Sequence, residues 1–144
     1  MKKDKFTIII DSREQKPYYF KRSVVKNLKS GDYSVAGLED KITIERKTKS
    51  DAYGTIGKGR KRFKKELENF INYDYKAIVV ECSLSDFLKS PAFSKLSPKS
   101  AINSLISWNI KYKVNIFFAS NRKLARALVY RLLQKYRKEF LANE

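Results

Sequence analysis

The chain has 144 residues, enough for one domain of ordinary size with a buried core. Its composition is globular, 42% hydrophobic and 33% charged, and 32 Lys and Arg against 15 Asp and Glu give a formal net charge of +17. It has no His and a single Cys, Cys82, which excludes an internal disulfide, His-ligated zinc, His general bases and Ser-His triads.

The stretch Met1-Lys2-Lys3-Asp4-Lys5 leads into Phe6-Thr7-Ile8-Ile9-Ile10-Asp11 with no signal peptide between. That run is apolar on both faces and predicts a buried central strand. Ser30-Gly31-Asp32 is a turn signal. Residues 33–36 and 41–47 predict neighbouring strands joined by a turn over 37–40. Gly54, Gly57 and Gly59 predict a break in the chain. The spacing of Phe63, Leu67, Phe70 and Ile71 predicts a helix over 60–72. Residues 77–81 predict another buried strand, followed by a short helix capped by Ser83 or Ser85. Ser97-Pro98 opens a helix carrying Ile102, Leu105, Ile106 and Trp108. A strand is predicted over 114–119, then a last helix from Ser120 or Asn121. On that helix Leu124, Leu128 and Leu132 form one line, with Val129 and Leu133 beside it. Strands alternating with helices predict one α/β domain over 1–144 with a mixed sheet.

The positive charge points to nucleic acid as partner. An anionic membrane surface is the alternative for so basic a chain, but no apolar run approaches the roughly 20 residues of a membrane span. The lone Cys fits a reducing compartment. The expected location is the cytoplasm or nucleoid of a microbe or virus, or the nucleus of a eukaryote.

Acidic residues gather in one place despite the basic excess. On a strand over 41–47, Ile42, Ile44 and Arg46 share one face and Thr43, Glu45 and Lys47 the other. Glu45 and Lys47 then project side by side, with Asp32 at the start of the neighbouring strand. Asp32 and Glu45 offer hard oxygen ligands to Mg²⁺, which takes one or two carboxylates and completes its shell with water and phosphate. Asp11 or Asp51 would complete the set. Lys47 would orient the attacking water or offset transition-state charge. A lone Glu-x-Lys in a Lys-rich chain carries little information. The longer pattern carries more.

Gly31-Asp32, Glu45-Arg46-Lys47 and Asp51 together resemble the GD…ERKxxxD signature of the XPF-type structure-specific endonucleases. The stretch from Ile8 to Glu14 is similar to the family's opening strand, which ends in Asp-x-Arg-Glu. Asp32-Tyr33 extends the turn to Gly-Asp-Tyr, and Gly59-Arg60 resembles the Gly-Arg that leads into the helix after the active site. The likeness covers residues 6–120.

The resemblance implies a restriction-endonuclease-like fold, a mixed central sheet flanked by helices. It implies cutting of DNA at flaps, forks or junctions with Mg²⁺, Mn²⁺ substituting, in DNA repair or recombination. Carried over, Asp11, Asp32, Glu45 and Asp51 are the metal-site acids. Arg46 and Lys47 are the basic catalytic positions, and Arg13 and Glu14 support them. A homodimer or heterodimer through the nuclease domain is implied as well. Two departures bear on substrate choice. The family's tandem helix-hairpin-helix module has no match up to Glu144, and the Gln that follows Gly-Arg is replaced near Lys64.

Several residues keep two readings. Asp11 caps a turn or joins the site. Arg46 is catalytic, or is a buried structural Arg paired to a carboxylate such as Glu14. Asp51 is an N-cap or a site acid. The run Lys58, Arg60, Lys61, Arg62, Lys64 and Lys65 is a solvated helix face, a nuclear import signal or, as favoured here, a clamp on the DNA backbone. Gly57 and Gly59 would let backbone N–H groups approach phosphate. The Leu line of the last helix is core or dimer surface. Tyr18-Tyr19-Phe20 stacks on unpaired bases or packs on the sheet. Two rival functions stand beside the nuclease: a catalytically silent DNA-binding or dimerisation partner, and an RNA-directed protein.

Overall fold

The computed structural model describes residues 5–144, so positions 1–4 of the leading stretch lie outside the described residues. Six strands form one mixed sheet: β1 (Ile8–Asp11), β2 (Ser23–Lys26), β3 (Tyr33–Val35), β4 (Ile42–Lys47), β5 (Tyr75–Val80) and β6 (Asn115–Phe118). Their order is β2-β1-β3-β4-β5-β6. β3 is antiparallel to β1 and β4, while the pairs β1–β2, β4–β5 and β5–β6 are parallel. Five strands therefore point their C-terminal ends the same way, and β3 begins at that same end.

Five helices cover the faces: α1 (Lys49–Ile56), α2 (Arg60–Asn69), α3 (Leu84–Phe87), α4 (Pro98–Tyr112) and α5 (Arg122–Ala142). One apolar layer joins Ile8, Ile10, Tyr33, Ile42 and Ile44 to Ala125, Val129 and Leu133 of α5. The other joins Ile78 and Val80 to Ala52, Tyr53, Leu67, Leu105 and Trp108 of α1, α2 and α4. Each large apolar side chain so buried contributes about 1.5–3 kcal/mol.

Several expectations are corrected. β2 was not predicted: Val24 and Val25 are 44% and 63% exposed on an edge strand, so their burial leaves no alternation to read. Residues 49–56 form α1 rather than a break, and Gly54 lies inside it. Ile71 is 61% exposed, because the chain tightens into a 3₁₀ turn at Phe70–Asn72. On α5 the buried line is Ala125, Val129 and Leu133, and Leu124 is 52% exposed. The caps of the later helices agree with the sequence: Ser83, Ser97 and Asn121 each accept a backbone N–H from three residues on.

Candidate active site

Topology gathers the acidic positions. Asp11 ends β1, Asp32 precedes β3, and Glu45 and Lys47 lie at the end of β4, all at the end where the parallel strands finish. In open α/β sheets this is where ligands bind. Asp32 is tied to both neighbours through its backbone. Its carbonyl accepts from Asp11 N at 2.8 Å, and its N–H donates to Ile44 O at 2.9 Å.

Gly31 makes that docking fit. Its φ is +79°, and a Cβ there would stand 1.8 Å from Thr43 Oγ1. Only glycine tolerates both conditions without strain. In the space left, Thr43 Oγ1 donates to Ser30 O at 2.8 Å. The Gly-Asp pair of the motif is thus one device, a residue without a side chain that seats the next residue's carboxylate against β4.

The acids differ in state. Asp32 Oδ2 accepts from Arg46 N at 2.7 Å. Burial pushes the Asp32 carboxyl up to about 7, outweighing that hydrogen bond. Glu45 is buried, and Oε2 has no hydrogen-bond partner among the described residues. Burial, then repulsion from Asp32, raises the Glu45 pKa well above the usual carboxylate range. Asp11 behaves the other way. Burial would raise it, but Arg13 Nε at 3.0 Å, Arg13 Nη2 at 3.2 Å and Leu28 N at 2.8 Å prevail and hold it below the usual value. Of the predicted metal acids, Asp11 is therefore held ionised and paired with Arg13.

Lys47 Nζ stands 3.8 Å from Glu45 Oε1 and 4.8 Å from the centre of the Phe63 ring. The contact with Phe63 fixes the flexible ammonium at the wall of an open cleft of about 370 Å³. Asp51, Arg62 and Glu66 also line that cleft, whereas Asp32 and Glu45 do not. Asp51 is not the N-cap of α1. Thr48 is, and the two form a reciprocal capping box, with Asp51 N donating to Thr48 Oγ1 at 3.1 Å and Thr48 N to Asp51 Oδ2 at 3.4 Å.

Glu66 on α2 escaped the sequence reading. Burial raises its pKa against the pull of Lys47 and Arg13, and its charge raises that of Glu45 in turn. The only local signal was its place one residue before the buried Leu67 of an otherwise basic segment.

Arg46 lies on the opposite face from Glu45, as alternation requires, and takes the structural reading. Its Nε and Nη2 donate to the two oxygens of Glu14 at 2.8 Å each, and Nη1 donates to Glu81 Oε1 at 3.1 Å. All three side chains are at most 8% exposed. Glu81 was not nominated from sequence; it also accepts from Tyr18 Oη and pairs with Arg122 at 3.5 Å.

The basic run divides. Arg62 lines the cleft, and Lys58, Lys61, Lys64 and Lys65 are exposed. Arg60 is turned to α4, donating to Ser104 Oγ at 2.8 Å with its guanidinium 5.2 Å from the Trp108 ring centre. Gly57 and Gly59 do not offer N–H groups to phosphate, because these donate to Tyr53 O and Gly54 O at 2.9 Å.

The donor set fits a hard divalent cation. The partnerless Glu45 oxygen beside a second acid of raised pKa is an arrangement that a cation relieves. Among the described residues no three Asp, Glu, Cys or His side chains form a complete cage. Mg²⁺ needs none, since water and substrate phosphate fill most of its shell.

Comparison with known proteins agrees with this fold. The model of the ERCC4 domain family matches residues 10–132. XPF from Aeropyrum pernix superposes with a TM-score of 0.73 at 20% identity, covering 90% of this chain. XPF from Aeropyrum pernix in complex with DNA gives 0.72 at 20% identity and covers 94%. The chain spans 61% and 66% of the length of those two proteins. The fold is accordingly restriction-endonuclease-like. No curated protein matches the sequence.

Proposed function

The chain belongs to the ERCC4 domain family, and from that premise we propose that it is a divalent-metal-dependent endonuclease hydrolysing DNA phosphodiester bonds at flaps, forks or junctions. The observation that carries this reading is the Glu45 carboxylate, buried with a partnerless oxygen 
beside Asp32 and joined to Lys47 through its other oxygen at 3.8 Å. A divalent cation would pair that oxygen and relieve the repulsion from Asp32. Asp32 and Glu45 would hold Mg²⁺ or Mn²⁺, with Asp51 at the cleft rim and Asp11 positioning Arg13. A metal held there would supply Lewis acidity and lower the pKa of a water molecule.

The chain's own groups do the rest. Lys47, steadied by Phe63 and Glu45, presents its N–H donors to a phosphoryl oxygen or the attacking water. Glu14 and Arg46 brace β4 from behind, which keeps Glu45 and Lys47 in register. Arg62 at the cleft and the exposed Lys58, Lys61, Lys64 and Lys65 attract the DNA backbone without reading sequence. The chain pairs with a second copy or a related chain through α4 and edge strand β6. There Ile106 and Ile110 are 49% and 69% exposed.

The test is cleavage of labelled flap, fork, linear duplex and single strand in Mg²⁺, Mn²⁺ or EDTA, with wild type beside Asp32→Asn and Lys47→Ala. The expected result is metal-dependent cutting of branched DNA, reduced on the order of 10²-fold or more in both variants while binding persists. Tight binding without cutting in any metal overturns the enzyme reading and leaves the catalytically silent partner.

A further inference from the structure

Tyr18-Tyr19-Phe20 is split by the fold. Tyr18 and Phe20 are each 2% exposed, and Tyr19 between them is 77% exposed. The two flanking rings are anchored on Tyr33, Tyr18 stacked at 5.4 Å and Phe20 edge-on at 5.8 Å. The start of α5 staples the same loop. Arg122 donates to Lys16 O and Pro17 O at 2.9 Å each and lies 4.7 Å from the Tyr18 ring centre. Arg126 Nε donates to Tyr19 O at 2.7 Å. The backbone under Tyr19 is held on both sides, so the exposed ring stands on a fixed base.

Beside it lies an open notch of about 410 Å³ lined by Tyr18, Tyr19, Arg122, Lys123 and Arg126. Glu81, the acid paired with Arg122, is already shared with Arg46 and Tyr18. Among the described residues Lys123 has no hydrogen-bond or ion-pair partner, and Arg126 has none beyond Tyr19 O. The notch thus joins a preorganised aromatic face to uncompensated cations. That combination holds unpaired nucleic acid, by base stacking and phosphate attraction. Glu81 follows β5 at the end of the sheet that carries Asp32 and Glu45, on the Arg46 side of β4.

We propose that Tyr19, Lys123 and Arg126 form a second DNA contact that takes an unpaired nucleotide, its base on the Tyr19 ring and its phosphate against Lys123 and Arg126. It rests on the endonuclease reading for its ligand, and it names the single-stranded arm as part of the substrate.

The test is fluorescence anisotropy in EDTA, with Asp32→Asn protein to prevent cutting. The probes are a short labelled oligo-dT, an abasic backbone of equal length and a blunt duplex. Tyr19→Ala is expected to weaken oligo-dT binding about tenfold, leaving duplex and abasic backbone within about twofold. Tyr19→Phe keeps the affinity. Lys123→Ala weakens oligo-dT and lowers its salt slope by about 1. Unchanged oligo-dT binding by Tyr19→Ala, or equal loss on all three probes, overturns the notch. Absence of cleavage by wild type in Mg²⁺ would sink the endonuclease reading without touching this result.

Discussion

Arg46 grips Glu14 across 32 positions of sequence with two parallel hydrogen bonds of 2.8 Å, Nε to Oε2 and Nη2 to Oε1. With Glu81 on its third nitrogen, this buried cation bridges two buried carboxylates directly behind Glu45 and Lys47. Arg46→Ala strips Glu14 of its cation and leaves Glu81 with Arg122 alone, and is expected to cost about 3–5 kcal/mol of folding stability. Arg46→Lys fails to recover it, because an ammonium cannot make the paired bonds and reach Glu81 together. Urea denaturation of the two variants measures this. Wild-type stability with lost cleavage would move Arg46 to the substrate.

Asp32 and Glu45 make the metal-free protein sensitive to alkali. Their folded pKa values are raised, that of Asp32 to about 7. Between about pH 4 and pH 7 the folded chain binds more protons than the unfolded chain, so stability falls as pH rises through that window. In EDTA the melting temperature is expected to decline between about pH 4 and pH 7, and less so for Asp32→Asn. With the proposed site, where the ionised pair would hold Mg²⁺, stabilisation by added Mg²⁺ is expected to grow over the same range. A profile in EDTA that is flat and identical for both proteins would contradict the buried acid pair.

Glu66 acts on the site through charge. It raises the Glu45 pKa, so Glu66→Gln is expected to move the acid limb of the pH–rate profile down by roughly a few tenths of a pH unit. Activity at high pH stays close to wild type. Loss of activity across the whole profile would show that Glu66 instead touches the metal or the DNA.

Two glycines separate strain from collision. Gly31 and Gly37 both have positive φ, +79° and +90°, but only at Gly31 does a Cβ meet another atom, Thr43 Oγ1 at 1.8 Å. Gly37→Ala is expected to cost about 1 kcal/mol, and Gly31→Ala at least about 2 kcal/mol with reduced cleavage. Adding Thr43→Ala to Gly31→Ala recovers the steric part. Thermal melts compare the variants, and equal losses at the two glycines would remove Gly31 from the seating of Asp32.

The sequence by itself determined what is local. Alternation along β4 separates Glu45 from Arg46, the apolar runs mark β1 and β5, and a Gly-Asp turn precedes Tyr33, all within a few bonds. The motif acids came instead from the resemblance of Gly31-Asp32, Glu45-Arg46-Lys47 and Asp51 to a family signature. Tertiary structure alone decided what depends on neighbours distant in the chain. It brought Glu66 to the cleft by packing α2 on the sheet, and it placed Glu81 on Arg46. It paired Asp11 with Arg13, turned Arg60 to α4 and left Tyr19 exposed between two buried rings. It also added β2, a strand whose exposed valines resemble a loop until β1 lies beside them. The physical reason is one of range: backbone alternation and turn conformation are set by adjacent residues, whereas burial, charge pairing and desolvation are set by whatever the closed fold brings near.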